Sequence, residues 1–447
     1  MSKMRSIFCL LLAALSLSAG AADTNSLVWH KATDRVDADV RGMALWPLLE
    51  KIAVEAGWHI FVEPDTTHTT SAKFKDLPSG DALKMLLGNL NFALVPRTNG
   101  VPQLYVFRTE MKNATRQVLA PKAAPKHVPN ELLVKLKPGA DADALAKLLG
   151  AKITGRNDKL GLYRLLFNNT SATDAALGQL QGNSDILAVD YNYVFDPPPP
   201  IQALSSAPVA PLSLQLNPPG DSGKVIVGLP DTAEQSLGAQ LDKFILPQLS
   251  VVGDANVTGT DPTHGTAMAY SILEAVAQQS SSGTSVQILP VDIYGSGEST
   301  TSWNVALGIQ AAVDNGATVL NLSLGGAGDS SVLDSVIQQA IAKGIPVIVA
   351  AGNTPGVTTY PAATPGVIAV TALAQNGQLA SYANYGSYVD LALPGTSIFY
   401  LNGTAYMVQG TSVSAAYTSG VAAGNKASTT STWAQIFGAM QTKYPVP

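Results

Sequence analysis

One cysteine, five histidines and no arginine beyond Arg164 are the scarcest features of this 447-residue chain. Cys9 lies in an apolar run, 7–15, close to the N-terminus, so a chain relieved of that segment has no thiol. A disulfide framework, a cysteine nucleophile and a thiolate metal site are then excluded. Only His264 falls in the C-terminal half, and one imidazole supported by carboxylates alone suits zinc poorly. Charged residues make up 13% of the chain, well under the usual share of about 25%. After residue 221 there are 5 basic and 12 acidic residues, a balance of 5 − 12 = −7. Phosphates need a basic footprint, so nucleic acid is excluded as a partner. Beyond the N-terminal run, no stretch reaches the ~18 apolar residues of a membrane span.

What is present divides into parts. At roughly 150 residues per domain the length leaves room for about three, and 39 Gly with 28 Pro imply many tight turns. Lys3 and Arg5, the apolar run and the small residues Ala19-Gly20-Ala21-Ala22 form a signal-peptide pattern over 1–22, which predicts a secreted or periplasmic protein. From 33 to 110 the pattern reads as a small α+β module, with strands at 36–40, 59–62, 72–75, 92–96 and 103–107 and helices at 46–56 and 80–90. VRGMALWPLLEKIAVEAGWHIFVEP followed by FKDLPSGDALKMLLGNLNFALV resembles the short secretin and TonB-receptor N-terminal domain. That resemblance implies contact with a cell-envelope protein, against the alternative of a folded spacer.

Residues 117–127 are a Pro/Lys/Ala linker. A second α+β unit over 128–196 has strands at 132–136, 160–167 and 186–195 and helices at 142–149 and 172–180, in the β-α-β-β-α-β order of a ferredoxin-type sandwich. Its VPNELLVKLKPGA and ILAVDYNYVF resemble the opening and closing strands of subtilase propeptides. Asp196 and four consecutive prolines, Pro197 to Pro200, then open an extended linker, 197–221, that excludes helix and central strand. From 222 to 447, apolar runs at 225–229, 286–291, 318–324, 346–350 and 367–371 alternate with helical ones such as 303–314 and 331–343. The fold class is therefore α/β: a parallel sheet with helices on both faces, preceded by two small α+β domains, with function at the carboxyl ends of the strands.

His264 opens His264-Gly265-Thr266-Ala267-Met268-Ala269 at a loop-to-helix junction where both ring nitrogens can be engaged. A lone histidine is more often a satisfied structural residue. To act as a general base it needs a hydroxyl at one nitrogen and a carboxylate at the other. Asp231, just past the apolar run 225–229, is the candidate carboxylate, and an ordinary strand-end turn is its bland alternative. Ser412, in Gly410-Thr411-Ser412-Val413-Ser414, is the candidate hydroxyl, and an N-cap is the bland alternative there.

Together VIVGLPDT, HGTAMA, VDNGATVLNLSLGG, IPVIVAAGN and QGTSVSAAYTSGVAA resemble the subtilase family of serine endopeptidases over nearly all of 222–447, and the order Asp, His, Ser is the subtilisin order. An α/β-hydrolase is excluded because no histidine follows Ser412. The resemblance implies Ser412 as nucleophile, His264 as general base and acid, Asp231 as the partner that orients it, and Asn353 as a donor to the oxyanion beside the Ser412 N–H. It also implies that Ser323, Leu324, Gly325, Gly326, Ala351 and Gly352 line the bound substrate, a protein or peptide. Three positions depart from the family pattern: Ala233 stands where glycine is usual, Ala267 where a second histidine is usual, and Ala416-Tyr417 where Pro-His is usual. None removes a catalytic atom. No acidic calcium loop is visible, so neither a cofactor nor structural calcium is expected. The expected protein is a self-processing zymogen whose own propeptide, 128–196, blocks the cleft. The cut is expected at 202–213 and not within Pro197 to Pro200, where no N–H is available. The competing reading is a weak or inactive subtilase-like binding protein of the cell envelope.

Overall fold

The computed structural model describes residues 25–31, 33–96, 102–118, 125–205, 212–218, 223–253, 257, 259–279 and 283–447. The expected signal peptide lies outside the described residues, as do 119–124 of the expected first linker and 206–211 and 219–221 of the second. The chain forms two compact units, which meet in sequence at Pro121 and Lys122.

In the first unit Ser26–His30, Arg35–Ala44 and Thr69–Pro78 form one antiparallel sheet, while Asn91–Val95, Gln103–Phe107, His59–Val62 and Arg116–Val118 form a second. Helices Leu45–Ala56 and Ser79–Leu87 drive Leu48, Leu49, Ile52, Leu83 and Leu86 into a core shared with Val36, Ile60 and Leu104. The apolar residues recur at helical spacing, so each helix buries one face. This unit is longer than 33–110 at both ends, because Ser26–His30 pairs with the next strand and Arg116–Val118 pairs with His59–Val62. Strands of five and three residues are too short to leave a clear alternation in sequence.

The second unit begins with the ferredoxin-type order anticipated for 128–196. Strands Ile186–Phe195, His127–Leu136, Leu162–Leu166 and Lys152–Asn157 lie side by side in that order, all antiparallel. Helix Ala142–Leu149 is capped by Asp141, which accepts from the N–H groups of Asp143 and Ala144, and ends at Gly150 in the left-handed conformation. The strand Ile186–Phe195 extends this sheet onto the rest of the unit by pairing with Thr300–Thr301.

Polar contacts cross the same junction. Asp190 accepts from Ser331 Oγ at 2.6 Å and Val332 N–H at 3.1 Å, capping helix Ser331–Ala342. Asn192 Oδ1 accepts from the Trp303 N–H at 3.1 Å, at the start of helix Ser302–Asp314. Burial pushes the Asp190 carboxyl up, and these donors oppose the rise. Trp303 is only 6% exposed: Gly155 lies so close that a Cβ there would sit 2.6 Å from the indole, and the Arg164 guanidinium lies 5.5 Å from a ring centroid.

The remainder is a seven-stranded, wholly parallel sheet in the order Leu249–Ser250, Val286–Asp292, Val225–Asp231, Val319–Leu322, Val347–Ala350, Ile368–Leu373, Leu391–Pro394. Successive residues face opposite sides: Val225, Val227 and Leu229 join one core and Ile226 the other. Helices His264–Gln279 and Thr411–Ser428 cover the first side, and Ser302–Asp314 and Ser331–Ala342 the second. The chain leaves Val225–Asp231 toward one edge and later builds outward from its other side, so this strand marks the topological switch point. In open α/β sheets, sites form at the carboxyl end there.

Candidate active site

Asp231 is the last residue of that switch-point strand. Its carboxylate is 2% exposed and accepts from the Thr232 N–H at 2.7 Å and from His264 Nδ1–H at 2.8 Å. A charge so deeply buried is tolerable because it is paired and hydrogen-bonded. His264 opens its helix, and Thr232 Oγ1 holds that start by accepting from the Gly265 N–H at 2.8 Å. A side chain at Gly265 would collide with the Thr232 carbonyl. With Nδ1 protonated toward Asp231, neutral His264 keeps Nε2 as an acceptor. Nε2 is buried and has no hydrogen-bond partner among the described residues.

Ser412 stands in the first turn of helix Thr411–Ser428 and is 4% exposed. Its hydroxyl donates to the Ser323 carbonyl at 3.1 Å and not to His264. Ser323 Oγ in turn donates to the Ser412 carbonyl at 2.8 Å. The network continues inward, with Asn321 Nδ2 donating to Ser323 Oγ and Ser419 Oγ donating to Asn321 Oδ1, both at 2.9 Å. Asn321 and Ser419 escape a sequence reading, since the contact joins positions 98 apart in the chain. The structure therefore joins Asp231 with His264 and Ser412 with Ser323, and leaves nucleophile and base candidates unbonded to each other.

Asn353 follows the strand Val347–Ala350. Its Oδ1 accepts from both the Thr411 N–H at 2.9 Å and Thr411 Oγ1 at 3.0 Å, which fixes the amide and turns Nδ2 toward Gly410. Of the expected substrate-lining residues, Gly326 exchanges two backbone hydrogen bonds with Tyr360. Ala351 gives its carbonyl to Thr359 and Tyr388, and Gly352 gives its N–H to Thr411 and its carbonyl to Asn384. The backbones of Ala351, Gly352 and Gly326 thus brace the site internally, while Ser323 and Leu324 are buried, the first against Ser412 and the second in one core with Phe195.

Two of the three departures from the family pattern are accommodated. Ala233 is buried and its carbonyl accepts from Thr263 Oγ1 at 2.6 Å, and Tyr417 donates to Gln278 on the neighbouring helix. Three residues past Asp231, both carboxylate oxygens of Glu234 are buried without a partner among the described residues, and burial, then Asp242, pushes this carboxyl up to about 8. Nothing in the sequence distinguished it from a surface glutamate.

The second linker crosses this site. Phe195 is 1% exposed and packs in one core with Leu324, Trp303 and Tyr294, beside Gly326. A Cβ on Gly410 would meet the Pro199 ring at 3.4 Å. Further on, Gln202–Leu204 forms an edge strand on Thr404–Gln409.

Known proteins resemble this chain in sequence and fold. The profile of the subtilase family matches residues 224–443, and that of the fervidolysin N-terminal prodomain matches residues 113–192. The thermophilic serine proteinase of Bacillus sp. (strain AK1) is 30% identical over 324 residues, covering 66% of this chain and 78% of that protein. The chain belongs to the subtilase family. The thermostable alkaline protease of Halalkalibacterium halodurans is 34% identical over 192 residues, 40% of this subtilase and 52% of that protein. The subtilase thus spans about half the length of the first relatives it matches. Fervidolysin from Fervidobacterium pennivorans, described as a keratinolytic enzyme related to subtilisin, superimposes with a TM-score of 0.53 at 21% identity. That overlap covers 70% of this chain and 57% of fervidolysin, and it shows a common fold. The prodomain profile starts at 113, inside the first unit, whose last strand is Arg116–Val118. No helix among the described residues is long and apolar enough to cross a membrane, and no group of three or more metal-ligating side chains occurs among them.

Proposed function

We propose that this subtilase is a serine endopeptidase made as a zymogen, acting on protein or peptide substrates through Ser412, His264 and Asp231 with Asn353 as oxyanion donor. The observation that carries the reading is His264 Nε2, buried with no partner among the described residues while Nδ1 donates to a buried carboxylate. An unsatisfied buried acceptor costs about 1–3 kcal/mol, so a histidine with only a structural role would have acquired a donor.

The chemistry follows from the geometry. Ser412 gives up its bond to the Ser323 carbonyl and turns its hydroxyl to Nε2, which removes the proton as Oγ attacks the substrate carbonyl. Asp231 stabilises the imidazolium that forms. The new oxyanion is met by Asn353 Nδ2 and by the Ser412 N–H at the positive end of the helix. The protonated His264 then gives its proton to the departing amine, and water reverses the sequence to free Ser412.

The prodomain and the linker that follows it block the cleft before processing. The first unit, with its resemblance to secretin and TonB-receptor N-terminal domains, recruits a cell-envelope protein after secretion directed by residues 1–22. One observation favours the second reading, a catalytically weak binding protein: Ser412 and His264 are not hydrogen-bonded to each other. A serine-directed fluorophosphonate separates the two. The processed protein should be labelled at Ser412 and the His264→Ala protein should not; a processed, folded protein that takes no label overturns the peptidase reading.

A further inference from the structure

The register of the linker across the site has a consequence for how the first cut is made, provided the peptidase reading holds. Val194 and Phe195 pair with Thr301 and Thr300 on one side of the site. Gln202, Ala203 and Leu204 pair with Met407, Tyr406 and Ala405 on the other. Continued back three positions, that second register sets Pro199 opposite Gly410, and the Pro199 ring is found there. Gly410 lies two residues before Ser412 and beside the Asn353 amide. The register thus brings the bonds flanking Pro199, Pro198–Pro199 and Pro199–Pro200, to the turn that leads from Gly410 into Ser412.

Both bonds are poor substrates. Their nitrogens are locked in pyrrolidine rings, carry no N–H, and fix the backbone of the residues that a substrate strand must align. Bringing Gln202–Ala203 to the place of Pro198–Pro199 means sliding the strap by four residues, about 13 Å at ~3.3 Å each. The strap is held against that slide. Phe195 is buried in the core beside Leu324, Lys126 pairs with Asp196 at 2.9 Å, and the strand Ile186–Phe195 is zipped to His127–Leu136.

We propose that the tetraproline makes the resting chain its own uncleavable occupant, and that the first substrate of this enzyme is the linker of a second copy of the same chain. The reaction is ordinary hydrolysis in trans. A bond beyond Pro200 in one copy breaks, its acyl carbon passes to Ser412 Oγ of another copy, and the leaving amine takes the proton held by His264. Water then releases the carboxylate and restores the hydroxyl. Processing starts from rare chains whose strap has come free and accelerates as cut copies accumulate.

Dilution of the purified full chain tests this, with the new N-terminus read by mass spectrometry. In trans, the half-time of processing should lengthen about tenfold for each tenfold dilution, and one part in a hundred of processed protein should remove the lag. A half-time independent of concentration would overturn the proposal in favour of cutting in cis. So would cutting of the Ser412→Ala chain produced alone, which would assign the step to another protease. The double replacement Pro198→Ala, Pro199→Ala should convert the kinetics to concentration-independent cutting at the replaced site; unchanged second-order kinetics would show that the prolines are not the block. Failure of the peptidase reading looks different, since neither chain would then cut or take the fluorophosphonate.

A separate set of contacts concerns Asn384, which is fully buried. Its N–H donates to the Gly352 carbonyl at 2.9 Å, its Oδ1 accepts from the Thr354 N–H at 2.8 Å, and its Nδ2 donates to the Val357 carbonyl at 2.7 Å. Gly352 and Thr354 are the two neighbours of Asn353, so one side chain and its backbone clamp both flanks of the oxyanion donor. We infer that Asn384 is a positioning residue for Asn353. In the processed protein, Asn384→Ala and Asn384→Ser should each lower kcat about tenfold or more with KM little changed. In an Asn353→Ala background the same changes should cost nothing further in kcat. Equal losses in both backgrounds, or a change in KM alone, would show a merely structural role.

Discussion

Glu234 offers a test of the structure that is independent of catalysis. Its carboxyl is pushed from 4.5 to about 8, by burial first and by Asp242 second, and neither oxygen has a partner among the described residues. In the unfolded chain the same group ionises near its ordinary value. Below pH 4.5 both states hold the proton and nothing is lost. Between 4.5 and 8 the folded state keeps a proton that the unfolded state has released, so stability falls as pH rises. Above 8 both are ionised and the cost is constant. At ~1.36 kcal/mol per pH unit the ceiling is about 5 kcal/mol. Admission of water or a small movement of the side chain lowers it, so about 1–3 kcal/mol is expected. Glu234→Gln removes the ionisation and keeps the shape. Both proteins should be compared on a Ser412→Ala background, where self-digestion is absent, by thermal unfolding from pH 4 to 9. They should melt together near pH 4 and separate between pH 5 and 8, with the glutamine form ahead by roughly 2–12 °C at pH 9, at about 2–4 °C per kcal/mol. Melting temperatures that run parallel across the whole range would refute the buried, unpaired carboxyl.

Four further outcomes follow from the site and the unit boundary. Ser412→Ala and His264→Ala should each remove nearly all casein hydrolysis, and the double variant should be no worse, because the two groups act as one unit. Asn353→Ala should lower kcat by about 10² to 10³, a magnitude taken from the handling of oxyanion donors in subtilisin itself. Gly265→Ala forces the start of the His264 helix away from Thr232, so the labelling rate of the processed protein should fall, and protein with unchanged labelling would contradict the close approach. A chain beginning at Lys122 should fold, process and label like the full chain, since the last strand of the first unit ends at Val118; a cut at residue 110, the expected end of the module, would strip Arg116–Val118 from its sheet.

The parallel sheet was legible because each strand is a short apolar run buried on both faces. Val225–Asp231, Val286–Asp292, Val319–Leu322, Val347–Ala350 and Ile368–Leu373 fall within two residues of the expected runs. The ferredoxin-type order of the prodomain was legible for a related reason, since its helices and strands differ cleanly in period. Thr300–Thr301 was not, because two residues have no period, and they form a strand only where the prodomain supplies a partner. Asp231, His264 and Asn353 could be singled out by residue type and motif. The hydroxyl direction of Ser412, the Asn321–Ser419 link and the Asn384 clamp arise from side chains brought together across the fold, and a linear pattern carries none of them. The four prolines were visible as a linker and as a poor place to cut, but the approach of Pro199 to Gly410 needed the strand registers on both sides.

The packing of Trp303 against the prodomain gives the molecule an optical reporter. Indole emission shifts to longer wavelength when a dry ring meets water, and Trp303 is dry because Gly155 and Arg164 of the prodomain cover it. From Lys122 onward the only other tryptophan is Trp433, which lies against Phe437 in the C-terminal helix. In a chain that starts at Lys122 and carries Trp433→Phe, one fluorophore therefore watches one surface. Scission of the linker and departure of the prodomain become separable in time: the first is read by mass, the second by colour.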